Sequence, residues 1–241
     1  MTKWIDLRVT AAVAVIAGLA AGGAASAADS PFYVQLQVGG AAPISSGGNV
    51  LDLDGFGKGA LSGSVVVGGG FGYRMELDPS GWALRAEVMG TVHPDYSLHA
   101  SASDGDTPST TASATGTAQS TMANFNLWLD IPTGTQFTPY VGGGVGEAWN
   151  SVSTTQFATN GQPVFNEGGG STAHFAYTAG AGVGYSIGTN WTLDIGYRYV
   201  DAGSFSTNGI ITTVGGDQIT DTAIKTKLRT DEGAVTLRWM L

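Results

Sequence analysis

The chain has 241 residues, of which 10 are Lys or Arg and 19 are Asp or Glu, for a formal net charge of −9, and it contains no Cys. The acidic balance argues against a nucleic-acid partner, and without cysteine there is neither a disulfide framework nor a lipid-bearing N-terminal thiol. Glycine, at 38 residues, would undermine a helical bundle, where each interior Gly costs about 1 kcal/mol relative to Ala.

The N-terminus carries Lys3 and Arg8, an apolar run from Val9 to Leu19, and small residues ending in Ala25, Ser26 and Ala27. This pattern predicts a secretory signal peptide over residues 1–27, removed after Ala27. The apolar run is short of the ~20 residues that a helical span needs. Further on, the charge-free stretch from Thr107 to Leu129 is half Ser, Thr, Asn or Gln, so a helix-spanning membrane protein is not expected.

Residues 28–241 read as one domain of alternating strands. The first run sets Phe32, Val34, Leu36 and Val38 against Tyr33, Gln35, Gln37 and Gly39. After a Gly-, Ser- and Asp-rich segment, a second run puts Val65, Val67, Phe71 and Tyr73 opposite Ser64, Gly68, Gly70 and Gly72, and Asp78, Pro79, Ser80 and Gly81 make a tight turn. The third run alternates Trp82, Leu84, Ala86, Val88 and Val92 with Arg85, Glu87, Met89 and Thr91. A Ser-, Thr- and Ala-rich tract over residues 93–118 has the look of a flexible loop. The fourth run sets Phe125, Leu127 and Leu129 against Asn124, Asn126, Trp128 and Asp130.

A fifth run spans Phe137 to Trp149, with Val141 and Val145 facing away from Tyr140, Gly142, Gly144 and Gly146; Glu147 breaks its apolar face, predicting a bulge or an exit from the membrane there. In the sixth, Phe175, Tyr177, Val183, Tyr185 and Ile187 oppose His174, Thr178, Gly180, Gly182 and Gly184. The seventh is the clearest: Trp191, Leu193, Ile195, Tyr197 and Tyr199 alternate with Thr192, Asp194, Gly196 and Arg198. The eighth directs Val235, Leu237, Trp239 and Leu241 one way and Glu232, Ala234, Thr236 and Arg238 the other.

Eight alternating strands behind an export signal, joined in turn by short and long connections, predict an all-β fold: an eight-stranded antiparallel up-and-down transmembrane β-barrel. Its short turns would be periplasmic and its long loops extracellular. The expected location is the bacterial outer membrane. Tyr73, Trp82, Phe137, Tyr185, Trp191 and Trp239 fall beside the short turns, where an aromatic girdle belongs. A soluble barrel of the lipocalin type has the same alternation with its faces reversed, but it has no use for such a girdle.

In this register Arg85, Arg198 and Arg238 enter the lumen with Glu87, Asp130, Asp194 and Glu232, and a slip of one residue would turn them all to lipid. An Arg at the bilayer midplane costs about 2–4 kcal/mol. The seven charges read as a polar network filling a narrow interior rather than an ion path.

No catalytic, cofactor or metal site is expected. His99 and Ser101, with Asp95 nearby, sit in the Ser-rich tract with nothing to order them into a hydrolytic set, and His174 reads as a polar rim residue. Gly180, Gly182 and Gly184 have period two and no following helix, so they are not a phosphate loop. Asp52, Asp54 and Gly55, and Asp104, Gly105 and Asp106, resemble fragments of a calcium loop but lack its closing Glu.

The triplet Met122, Ala123 and Asn124, the series Pro139, Tyr140, Val141, Gly142, Gly144, Val145 and Gly146, and the quartet Gly196, Tyr197, Arg198 and Tyr199 resemble the outer-membrane protein A-like or porin-family barrels, a group that includes opacity-type adhesins. The similarity covers nearly all of residues 30–241 outside the loops. It implies the architecture and says little of activity, since members differ mainly in their loops. Such barrels usually end in Phe with Gly five positions earlier, where this chain has Leu241 and Thr236. Nothing follows Leu241, so no anchoring to peptidoglycan through a periplasmic domain is expected.

The expected role is structural, in envelope integrity and surface presentation, with a surface adhesin as the alternative and a small channel or a lipid A-modifying enzyme behind it. Expected partners are outer-membrane lipid and lipopolysaccharide, the outer-membrane assembly machinery, and an extracellular ligand at loops 42–59, 93–118, 150–172 or 201–223. A monomer is expected.

Overall fold

A computed structural model describes residues 30–44, 52–53, 57–103, 111–220 and 225–241, and none of these is helical. The predicted signal peptide lies outside them, as do Asp54, Gly55, Asp104, Gly105 and Asp106.

Among the described residues, fourteen strands form one continuous system: β1 (Phe32–Pro43), β2 (Asp52–Leu53), β3 (Gly57–Leu61), β4 (Ser64–Glu76), β5 (Ala83–Ser103), β6 (Thr111–Asp130), β7 (Phe137–Val152), β8 (Thr155–Thr159), β9 (Gln162–Glu167), β10 (Gly170–Ile187), β11 (Trp191–Ser206), β12 (Ile210–Thr213), β13 (Gln218–Thr220) and β14 (Lys225–Met240). Eight of them, β1, β4, β5, β6, β7, β10, β11 and β14, pair in that order, and β14 closes on β1 with Trp239 opposite Val34 and Val235 opposite Val38. Each barrel pair is antiparallel, so the ring is an up-and-down meander without a free edge.

The alternation read in the sequence is the alternation of the wall. Along β6, Thr121, Ala123, Phe125 and Leu127 are exposed while Met122, Asn124, Asn126, Trp128 and Asp130 are buried. The seventh run, now β11, exposes Ile195 to 64% and holds Asp194 at 3%. Every barrel strand exposes at least one large apolar residue by 41% or more, which makes sense only against hydrocarbon.

Inward glycines give up volume to large neighbours. Gly182 and Gly196 are opposite each other in the β10–β11 ladder, and Tyr140 on β7 is opposite Gly182. A methyl group at Gly182 would lie 2.4 Å from the Tyr140 hydroxyl oxygen, and one at Gly196 would lie 2.6 Å from the same atom. The phenol therefore lies over bare backbone, a cross-strand filling of glycine by an aromatic ring.

On the periplasmic side the turn after β4 is held by Asp78. Its Oδ1 accepts from the Ser80 hydroxyl at 2.6 Å and the Ser80 amide at 3.0 Å, while Gly81 takes a φ of +96°. The hydrogen bond from the Ser80 side chain, ahead of those from backbone amides, holds the Asp78 carboxyl below the usual range. The turn is therefore favoured at neutral pH and loosens as acid protonates Asp78.

The extracellular side departs from expectation. Residues 93–103 and 111–118 are not a loose loop: β5 and β6 run on as paired strands to Ser103 and Thr111, after a bulge between His93 and Tyr96. Pro94 sits in that bulge, where its missing amide hydrogen costs no ladder bond. β8 joins β6, β9 joins β8, β12 joins β9 and β13 joins β12, while β3 joins β5 and β2 joins β3. The segments 42–59, 150–172 and 201–223 thus carry strands that raise a second wall above the barrel mouth. The β8–β9 turn is Asn160-Gly161 with φ of 50° and 76°, the geometry of a two-residue type I′ hairpin. Nor does β7 bulge at Glu147: its ladders with β6 and β10 run unbroken through that residue. Glu147 lies ten residues from Phe137, about 26 Å along the barrel axis at a rise of ~3.4 Å and a tilt of ~40°. That is the far edge of an apolar band about 25 Å tall.

Prediction: Gly182→Val should displace the Tyr140 ring and destabilise the barrel by about 1–3 kcal/mol, as overpacking does. Urea unfolding of the protein folded into lipid vesicles measures it, and Ala181→Val on the outward face of the same strand should cost far less.

Candidate functional site

The lumen has two storeys. The lower one holds the charges. Arg85 Nε donates to Asp130 Oδ1 at 2.8 Å and its Nη1 to Glu87 Oε1 at 2.9 Å. Glu87 also accepts from the Tyr33 hydroxyl at 2.5 Å, Gln35 Nε2 at 3.0 Å and Trp128 Nε1 at 2.9 Å. The Arg85 guanidinium sits 4.7 Å from the Tyr140 ring centroid, inside cation–π range. Across the lumen Arg238 makes a two-pronged pair with Asp194, at 2.5 and 2.9 Å.

Nearer the extracellular mouth, Arg198 Nε donates to Glu232 Oε2 at 2.6 Å, and Glu232 Oε1 meets His93 Nε2 at 2.7 Å and the Thr230 hydroxyl at 3.1 Å. The seven lumen charges named from the sequence are all buried, Glu232 completely and Arg198 at 9% exposure. They form separate clusters rather than one continuous chain. The network also takes in groups beyond those seven: Tyr33, Gln35 and Trp128 on Glu87, His93 and Thr230 on Glu232, and Arg74, 3.5 Å from Asp130. Tyr33, Gln35 and Trp128 stood on the inward faces read from the sequence, and His93 is in step with Arg85 through Thr91, so the periodicity could have added it.

A cavity of about 50 Å³ lies between the clusters, lined among others by Gln37, Arg85 and Arg198. Each of these side chains has a buried nitrogen with no acceptor among the described residues: Gln37 Nε2, Arg85 Nη2 and Arg198 Nη2. The space suits a few water molecules hydrogen-bonded to those donors.

The upper storey is apolar, which the sequence reading did not anticipate. Val66, Tyr96, Met122, Val200, Phe205 and Leu228 are 3% exposed or less and pack with small alanines into one cluster. Tyr96 stacks on His93 at 5.9 Å and meets Phe205 edge-on at 6.2 Å, so this plug lies directly above the Glu232 cluster. A bulge in β11 between Asp201 and Ser204 is clamped from β7, where Asn150 Nδ2 donates to the Ala202 and Ser204 carbonyls at 2.6 and 3.2 Å.

At the periplasmic rim, Phe137 pairs with Tyr185 and Trp191 stacks on Trp239 with centroids 5.7 Å apart; Tyr73 packs against Phe32. Tyr73, Phe137, Tyr185 and Trp191 are exposed, and Trp82 and Trp239 are half-buried. All six flank the short turns.

His99 and Ser101 are both exposed on β5, and no hydrogen bond joins either to the other or to Asp95 among the described residues. His174 Nε2 lies 3.1 Å from the Ser204 hydroxyl, at the rim of the bulge. No group of three or more potential metal ligands occurs among the described residues.

A family model described as the outer membrane protein beta-barrel domain matches residues 11–226. The chain belongs to that family. Its place is accordingly the bacterial outer membrane, with the outward face of the barrel in lipid. Over 81 residues the chain is 33% identical to the outer membrane protein PagN of Salmonella typhimurium, a match spanning 34% of each chain, about a third of that relative's length. The solved structure of OprG from Pseudomonas aeruginosa matches 88% of this chain and 97% of its own with a TM-score of 0.50 at 14% identity. The neisserial surface protein A structure gives 0.49 at 16% identity, covering 88% and 98%. At such identities the OprG likeness speaks to the fold alone.

Prediction: Glu232→Ala strands Arg198 beside His93 in a buried site, and should cost about 3–5 kcal/mol in vesicle unfolding. The conservative Glu232→Gln, which removes the charge and keeps a hydrogen-bond acceptor, should cost less.

Proposed function

We propose that this barrel is a structural protein of the outer membrane with no catalytic centre, serving envelope integrity and surface presentation. The carrying observation is the double closure of its lumen. Paired charges fill the periplasmic half, and an apolar cluster fills the extracellular half. A conducting pore needs a continuous polar path, and a row of buried Met, Phe, Leu and Val side chains interrupts it. We extend the same reading to the six periplasmic aromatics as an interfacial girdle, to residues 1–27 as a cleaved export signal, to the assembly machinery as the agent that inserts the barrel, and to a monomeric state, since the ring has no free strand edge at the level of the membrane.

A second reading, a surface adhesin, is favoured by the upper wall. Val164, Ile210, Val214 and Ile219 are 39–74% exposed on or beside β9, β12 and β13, well above the lipid. β13 ends that sheet with all three residues exposed. An exposed apolar surface ending in an open strand edge is a docking surface for an extended partner segment.

Planar-bilayer recording on the purified protein should give no reproducible conductance, and stable channel openings would overturn the closed-lumen reading. For the alternative, deleting residues 210–220 removes the edge hairpin and leaves the eight-stranded ring intact. Attachment to a surface or cell that disappears with this deletion supports the adhesin. Unchanged attachment, together with an envelope defect when the whole protein is removed, supports the structural role.

A further inference from the structure

Three carboxylates, Glu87, Asp194 and Glu232, line the cavity between the lumen clusters, and every one of their oxygens already has a donor. Glu87 takes two on each oxygen, from Tyr33 and Arg85 on one and from Gln35 and Trp128 on the other. Asp194 gives both oxygens to Arg238. Glu232 gives one to Arg198 and the other to His93 and Thr230. The anionic acceptors around the space are therefore committed to side chains at its edge.

The donors are not. Arg85 directs Nε to Asp130 and Nη1 to Glu87, which leaves Nη2 without a partner among the described residues. The same holds for Arg198 Nη2 and Gln37 Nε2. Arg85, Gln37 and Arg198 are only 2%, 7% and 9% exposed, and all three line the one cavity of about 50 Å³. Each of the three nitrogens carries two hydrogens, so surplus N–H groups from β5, β1 and β11 meet in a small space. Tyr140 and Thr236 bring hydroxyls to its wall.

Water satisfies these donors only in part. A water molecule accepts hydrogen bonds but must also place two hydrogens of its own, and the carboxylates that would take them are occupied. An ion that only accepts is the better match. Charge points the same way: Arg85 and Arg198 bring like charges to a space withdrawn from bulk solvent, where their repulsion is weakly screened. Counting Arg74 at the periplasmic end, the four arginines Arg74, Arg85, Arg198 and Arg238 meet the four carboxylates Glu87, Asp130, Asp194 and Glu232. No net negative charge of that network opposes a monovalent anion.

We propose that Arg85, Arg198 and Gln37 hold one halide ion, chloride under ordinary conditions, between the two charged clusters of the lumen. Guanidinium and amide N–H groups make charge-assisted hydrogen bonds to it, and the ion ties the Arg85 cluster to the Arg198–Glu232 cluster nearer the mouth. It is a bound ion and not a conducted one, since the apolar cluster above closes the extracellular exit. The inference rests on the lumen geometry and goes beyond the structural role proposed above.

The test has two readouts. The protein is folded from urea into detergent micelles in sodium bromide and crystallised, and diffraction is recorded at the bromine absorption edge. The expected result is one anomalous peak in the lumen, within hydrogen-bonding reach of Arg85, Arg198 and Gln37. Bromide confined to the outer surface, an adventitious ion only, with water in the lumen, would overturn the proposal. In lipid vesicles at fixed ionic strength, replacing gluconate by chloride should lower the unfolding constant by roughly tenfold once chloride reaches ten times its dissociation constant. Gln37→Leu, which removes one donor, should weaken halide binding by roughly tenfold or more. Gln37→Glu, which brings a carboxylate to the space, should abolish the chloride effect. A shift in gel mobility on boiling checks that each variant is a folded barrel, so a loss of fold is distinguishable from a loss of binding. A chloride effect of equal size in the wild type and Gln37→Glu would overturn the proposal, because it would arise outside the cavity.

Discussion

The structure depends on one constraint: each barrel strand separates hydrocarbon on one face from a polar or glycine-lined lumen on the other, and β5, β6, β11 and β14 bring ionised groups into that lumen. Period two makes that separation possible, and closure of β14 onto β1 makes it permanent. A one-residue slip of β11 or β14 would turn Arg198 or Arg238 toward lipid and Tyr197 or Trp239 toward the lumen. The buried ion pairs are better understood as the consequence of this arrangement than as its source of stability. Replacing such pairs by apolar groups is often neutral or better, whereas removing one partner is costly. Their effect is to penalise a one-residue slip of the strands that carry them.

The interior is graded along its axis. Near the periplasm, where the glycines of β4, β7 and β10 thin the wall, Tyr33, Trp128 and Tyr140 occupy the vacated space and orient the charges. Toward the outside, Met122, Phe205 and Leu228 take over, and the strands bulge at His93–Tyr96 and at Asp201–Ser204 as they leave the membrane. Above that level the chain no longer has to satisfy lipid, and the strands pair in a different order to build the upper wall. A rigid barrel carrying an ordered rim suits presentation of a surface, with variation free to accumulate in β8, β9, β12 and β13.

Most of the barrel was legible because its two solvents write a local pattern: the outward Ile195 and Tyr197 and the inward Asp194 and Arg198 are neighbours in sequence. Partner choice was not legible. That Arg238 meets Asp194 while Arg198 meets Glu232 depends on stagger between strands, which no single strand encodes. The extension of β5 and β6 was hidden because Ser, Thr and Ala lack contrast between faces once water lies on the outer side. The Asn160-Gly161 dipeptide was an available hairpin signal for the β8–β9 turn. The apolar upper storey escaped notice because its members are scattered over all eight barrel strands, often as alanine, and assemble only when the ring closes.

The most direct test of this two-faced wall exploits the absence of cysteine. Single cysteines at Ile195 and Thr236, spin-labelled in vesicles, report which solvent each face meets. The label at 195 should collide freely with oxygen and be shielded from a water-soluble nickel reagent, while the label at 236 should be shielded from both. Ready access of the nickel reagent to position 195, or lipid-like oxygen access at position 236, would contradict the account.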